Sequence, residues 1–195
     1  MQEIALSEER HKNKQDTNRI KMVEKLKFIK VEIPSIGMEV DVLAKELKEM
    51  ENKTVDIDLT RLLKGKSVEA IFKIRVQGDK LVADPIRLAI FGFYVRRMMR
   101  KGIDYVEDSL DLDAKDAKMT AKIFLITRKK IHRQLKNALR LKAKEELTNY
   151  LKETEAAKVF DDVLAGNIQR HLAQKLKKIY PLTFCDIRDI FIKTK

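Results

Sequence analysis

The feature that most limits the fold is a regular alternation of apolar side chains. Between residues 68 and 76 the apolar positions Val68, Ala70, Phe72, Ile74 and Val76 recur every second residue, with Glu69, Lys73 and Arg75 among those between. A period of two puts alternate side chains on one face, so this segment is a strand with one buried side. It runs into Gln77-Gly78-Asp79-Lys80 and then Leu81-Val82-Ala83, a hairpin signal because glycine accepts the positive φ that a tight turn needs. Pro85, which has no N–H to give to a ladder, is expected to close the second strand.

The same alternation marks Ile29, Val31 and Ile33, and again Val55, Ile57 and Leu59. Ile103 to Leu110 and the set Met119, Ala121, Ile123 and Leu125 predict two neighbouring strands joined through the acidic stretch Asp111 to Asp116. Thr183 to Ile192 predicts a last strand, the seventh. Elsewhere the period lengthens. Leu88, Phe91, Val95, Met98 and Met99 recur at three and four, which predicts a helix over Arg87 to Lys101 capped by Gly102. Ile131, Leu135, Leu139, Ala143, Leu147 and Leu151 fall four apart, one stripe on a long helix starting near Lys129. A further helix should run from an N-cap at Thr154 to Gly166. A third, capped by Asn167, should end before Pro181. The expectation is an α+β fold: an antiparallel β-barrel of about six or seven strands flanked by helices. Residues 1–26 read as a flexible or partly helical charged tail. Residues 27–195 read as one domain with a single inserted helix and a C-terminal helical segment closing with the last strand.

Lys and Arg number 42 against 30 Asp and Glu, a net charge of +12. Their distribution matters more than their sum. From Ala117 to Lys144 the chain carries Lys118, Lys122, Arg128, Lys129, Lys130, Arg133, Lys136, Arg140, Lys142 and Lys144 and no Asp or Glu. A merely solubilising surface intersperses the two signs, so this stretch reads as a face for a polyanion. A second concentration, Arg96, Arg97, Arg100 and Lys101, ends the first expected helix, where cations also complement the helix dipole. Arg128 to Lys130 precede their helix, where positive charge is unfavourable, so an outside anion has more to offer there. Tyr94 and Tyr105 do not alternate with cations as stacking platforms do, which favours phosphate contact with structured RNA over reading of splayed bases.

Catalytic chemistry finds no foothold. His11, His132 and His171 are scattered and none is near Cys185 at ligand spacing. None of Ser7, Ser35, Ser67 and Ser109 sits in a nucleophile elbow. The six glycines form neither a dinucleotide-binding fingerprint nor a phosphate loop. No cofactor and no metal are expected. The single cysteine suits a reducing compartment. Leu88 to Val95, the longest uncharged run, is far below the roughly 20 apolar residues of a membrane span, and residues 1–25 lack an apolar signal core. The reading is cytoplasmic.

The segments KFIKVEIPSIG (27–37), NKTVDIDLTRLLKG (52–65), VEAIFKIRVQGDKL (68–81), YVRRMMRKGIDYVED (94–108), IFLITRKKIHRQLKNALRLKAKEEL (123–147) and AQKLKKIYPLTFCDIRDIFI (173–192) resemble, in this order, a small-subunit ribosomal protein family of archaea and eukaryotes, S-one-e, formerly S-three-A-e. The resemblance implies a β-barrel embraced by helices on the platform of the small subunit near the messenger exit channel. There the family touches ribosomal RNA and neighbouring ribosomal proteins, with mRNA close by. Matched by motif, its V-R-R-R stretch falls on Val95-Arg96-Arg97 with Arg100, and its T-R-R-R stretch on Thr127-Arg128-Lys129-Lys130. RNA contact is therefore expected at Arg96, Arg97, Arg100, Lys101, Arg128, Lys129, Lys130, Arg133, Lys136 and Arg140, with Lys177 and Lys178 as weaker contacts beside the corner Ile179-Tyr180-Pro181-Leu182. The chain departs from the family in its first 26 residues, where six cations face five acids instead of forming a basic arm. DPIRLAIFGF also replaces a Gly-His pair, and DLDAKDAKM an Asp-Gly-Tyr turn. The expected role is a non-enzymatic constituent of the small ribosomal subunit without homo-oligomerisation. The alternatives are a free-standing RNA- or DNA-binding regulator or an RNA-acting enzyme with an unfamiliar site.

Overall fold

The computed structural model describes residues 26–63, 65–78 and 80–193, so the expected tail lies almost wholly outside the described residues. In chain order the elements are β1 (Lys27–Ile33), β2 (Met38–Ala44), a single 3-10 turn (Leu47–Met50), β3 (Thr54–Asp58), β4 (Val68–Gln77), β5 (Lys80–Ile90), α1 (Gly92–Met98), β6 (Tyr105–Asp113), β7 (Lys118–Thr127), α2 (Arg133–Glu153), α3 (Ala156–Ala165), α4 (Asn167–Leu176) and β8 (Leu182–Ile192). The α+β class stands. The eight strands form one sheet in the order β2-β1-β5-β8-β7-β6, with β4 on the other edge of β5 and β3 beyond it. β1 and β5 run parallel through Val31–Leu81 and Glu32–Val82, so the sheet is mixed rather than wholly antiparallel. Among the described residues no ladder joins the outer strands β2, β3 and β6, and the hydrogen bonding does not close a barrel.

β5 is the strand on which the sheet forks, and Pro85 shows how. Along one edge β5 pairs with β4 throughout; along the other it pairs with β1 at Leu81 and Val82 and with β8 from Arg87 to Ala89. Pro85 falls in the gap between those two partners, where a missing N–H breaks no ladder bond, and beside a register shift at Ile71/Phe72. It therefore lies inside the strand instead of ending it. The helix expected from Arg87 starts only at Gly92, because Leu88 and Ile90 are 3% and 7% exposed as strand residues. Gly102 does not cap it either: α1 ends at Met98 and Gly102 turns the chain, at φ 86°, into β6. The hairpin at Gly78 forms as expected, with Gln77 opposite Lys80 and Gly78 at φ 62°.

β7 divides two cores. Met119, Ala121, Ile123 and Leu125 face the main core, which α2, α3 and α4 cover with Leu139, Ala143, Leu147, Phe160, Leu172 and Leu176. Phe124 and Ile126 face the other way, into a small cluster with Val68, Ile90 and Val95 beneath α1. A strand buried on both sides reads as the continuous run IFLI, and each such side chain contributes about 1.5–3 kcal/mol by burial. Thr154 is the C-cap of α2, its hydroxyl donating to the Tyr150 carbonyl, and Glu155 takes the N-cap position of α3. Gly166, at φ 76°, both ends α3 and precedes α4, so Asn167 is the first helical residue; its side chain donates to Asp162 Oδ1 at 2.9 Å.

Candidate nucleic-acid interface

The strand directions gather the expected basic segments. β5 and β7 both run antiparallel to β8; β7 leaves the sheet where β8 begins, with β6 starting beside it at Tyr105 opposite Ile126, while β5 ends just past its Ala89–Asp189 pair and α1 reaches the start of β8 through the Tyr94 ring, 6.4 Å from that of Phe184. β5 leads into α1, with Arg96 and Arg97, and then into the turn holding Arg100 and Lys101. β7 leads into Arg128, Lys129 and Lys130 and the first residue of α2, Arg133. The turn that feeds β8 carries Lys177 and Lys178, and β8 meets the end of β7 at Leu182 opposite Thr127. One rim of the sheet thus presents ten of the twelve expected contacts. All ten are exposed, and among the described residues none of them has a carboxylate within ion-pair distance.

The 128–131 loop is held by a clamp between Thr127 and Asp104. Thr127 is fully buried. Its hydroxyl accepts the Asp104 N–H at 3.1 Å and shares its one proton between the carbonyls of Asp104 (2.8 Å) and Lys129 (2.7 Å), while the Thr127 N–H donates to the Asp104 carbonyl at 2.9 Å. The Asp104 carboxylate accepts the Ile131 N–H at 2.9 Å and pairs with Lys136 at 3.1 Å. These donors, the Ile131 amide first and then Lys136, hold Asp104 below the usual carboxylate range, with Lys130 adding its charge. The extended loop delays α2 to Arg133, four residues beyond the expected start. It leaves three cations displayed by a fixed backbone, the arrangement that binds a phosphate chain with least ordering cost.

Lys136 and Arg140 are different. Lys136 answers Asp104 and Arg140 answers Asp108 at 3.3 Å, both across the α2–β6 contact. Likewise Lys142 pairs with Glu145 and Glu146. The acid-free stretch in sequence is thus partly neutralised in space by acids from β6 and from the next turn of α2. The same holds on the outer face of the sheet, where Arg87 grips Asp189 through two bonds of 2.9 and 3.0 Å and Lys122 adds a third at 3.0 Å. Both cations also lie over the Phe191 ring, at 5.9 and 5.7 Å. Burial alone would raise Asp189, but these bonds outweigh it and hold the carboxyl low. A cleft of about 590 Å³ lies beside it, lined by Asn52, Thr54, Lys73 and Ile86.

Burial, with Asp186 beside it, pushes the Cys185 thiol up to about 12, far from a reactive thiolate at neutral pH. Among the described residues no three His, Cys, Asp or Glu side chains gather as a metal site, and no helix is long and apolar enough to cross a membrane. Sequence reasoning missed Asp104, which carries no local signal because its partners are 23 to 32 residues away, and Phe93, whose exposure only the fold reveals.

The chain is similar in sequence to known proteins over most of its length. Over 155 residues the chain is 27% identical to the small ribosomal subunit protein eS1 of Pyrobaculum neutrophilum, covering 77% of this chain and 70% of that protein. It is 26% identical to the protein of the same name from Nanoarchaeum equitans over 136 residues, 67% of each chain. The match to eS1 of Saccharolobus islandicus is 26% over 137 residues, 69% of this chain and 66% of that one. Residues 11–194 match the Ribosomal S3Ae family, and the chain with this cationic rim belongs to that family of ribosomal proteins.

Proposed function

We propose that this chain is a non-catalytic, structural constituent of the small ribosomal subunit that holds ribosomal RNA through the rim of its sheet. The observation that carries the reading is the convergence of Arg96, Arg97, Arg100, Lys101, Arg128, Lys129, Lys130, Arg133, Lys177 and Lys178 at one end of the fold, exposed and without ion pairs among the described residues. Each cation brought to a phosphate releases a condensed counterion, which gives affinity with little base reading. Lys136 and Arg140 stand second in this scheme, since they must first leave Asp104 and Asp108. The resemblance supports a place on the platform near the messenger exit channel, with neighbouring ribosomal proteins against the sheet and mRNA close by. It also supports a barrel-like curl of the sheet within one domain spanning residues 27–195, in a cytoplasmic particle.

Sedimentation of the native protein from a cell extract at low salt with magnesium tests this reading. The protein should travel with the small subunit and leave it as salt is raised. A protein that stays at the top of the gradient would instead be a free-standing RNA- or DNA-binding regulator.

A further inference from the structure

Phe93 is 55% exposed, an unusual placement for a phenylalanine in the first turn of a helix that otherwise packs Val95 at 7%. It is not loose. Its ring stacks on Phe91 with centroids 5.4 Å apart and planes 21° from parallel. Arg96 and Arg97 follow at three and four residues, the spacing that puts side chains on one helix face. Arg97 lies over the Tyr94 ring at 5.3 Å. The Arg96 guanidinium folds back over Gly92, 3.7 Å from where a β-carbon would sit. Met99, 43% exposed, and then Arg100 and Lys101 complete the surface. No Asp or Glu occurs from Pro85 to Ile103, and none of these four cations has an ion pair among the described residues.

We propose that α1 and the turn after it form a stacking platform for one unpaired RNA nucleotide, with its base on Phe93 and its phosphates on Arg96, Arg97, Arg100 and Lys101. The proposal rests on the RNA reading above and narrows it at this end of the rim. An apolar patch on another protein would match the Phe93 ring but would desolvate four cations without an answering charge. A nucleotide carries both a flat apolar face and an anion, and so meets both features. Duplex RNA cannot supply the base, because its bases are stacked inside the helix. A bulge, a loop or a single strand can. The interleaving of aromatic and cation that the order of residues conceals is thus produced by the helix turn, which sets Arg97 on Tyr94 and beside Phe93.

The full chain should be titrated with a short oligouridylate carrying one fluorescent adenine analogue, and in parallel with a blunt RNA duplex. The unaltered chain should quench the analogue. Phe93→Ala should abolish the quench and weaken single-strand binding by about five- to 150-fold, while Phe93→Tyr keeps both and duplex affinity stays unchanged. If Phe93→Ala quenches and binds the single strand as the parent does while the duplex still binds, the platform is refuted and the apolar ring belongs to a protein contact. If the unaltered chain binds neither RNA, the RNA reading itself fails, and the platform with it.

Discussion

Replacing Arg128, Lys129 and Lys130 together with alanine should flatten the salt dependence of ribosomal RNA binding without unfolding the protein. The three side chains are exposed, and the clamp that shapes their loop uses the Thr127 hydroxyl, the Asp104 carboxylate and backbone groups that alanine retains. Each phosphate contact contributes about 0.9 to the slope of log affinity against log salt on a duplex and about 0.7 on a single strand. Three lost contacts should therefore lower the slope by roughly two to three units. Filter-binding titrations with small-subunit RNA across a salt series give the slope directly, and circular dichroism confirms folding. Lys136 and Arg140 supply the contrast. They are already paired with Asp104 and Asp108, so their double alanine variant should change the slope by less than about one unit. A triple variant with an unchanged slope, or a double variant that flattens it more, would refute the argument that free cations carry the binding.

Three other outcomes follow from the same contacts. Thr127→Val should cost about 1–3 kcal/mol in urea unfolding, because it leaves the part-buried Asp104 N–H and the Lys129 carbonyl without the hydroxyl, and should speed hydrogen exchange over residues 128–131; unchanged exchange there would show that the clamp does not hold the loop. Asp189→Asn should cost about 1–3 kcal/mol, less than a fully buried ion pair because Arg87 and Lys122 are 44% and 38% exposed; a urea midpoint equal to the parent's would contradict it. Asp104, Asp111 and Asp189 are all held below their ordinary carboxylate range, by the Ile131 amide and Lys136, by Lys193 and Thr120, and by Arg87 and Lys122 against burial, respectively. A carboxylate with a lower pKa folded than unfolded stabilises above the unfolded value. Stability should thus hold from neutral pH down to about pH 4 and fall below it; a protein that gained stability on acidification would have the sign reversed.

Much of the sheet is legible in the residue order because one-sided burial imposes a period of two, and β4, the hairpin at Gly78 and β8 announce themselves that way. β2 does not, although Met38, Val40, Val42 and Ala44 alternate. It is an outer strand whose positions before Ala44 are all at least partly exposed, so its apolar face is weakly marked. Leu88 and Ile90 fit either period, and only pairing with β4 and β8 decides for strand. Pro85 misleads because its tolerance depends on a fork in the sheet that involves β1 and β8, far away in sequence. The basic clusters are visible as composition. Which cations remain free is not, since Asp104, Asp108 and Asp189 reach Lys136, Arg140 and Lys122 through space rather than along the chain.

The central claim is that the sheet rim, and not the positive charge at large, lies on ribosomal RNA. Ultraviolet cross-linking of assembled small subunits, followed by mass spectrometry of the peptides that carry nucleotides, reads this residue by residue. Adducts should concentrate on the peptides around Arg96 to Lys101 and Arg128 to Arg133. Adducts confined to α3 and the β1–β2 hairpin, with the rim peptides bare, would contradict the account.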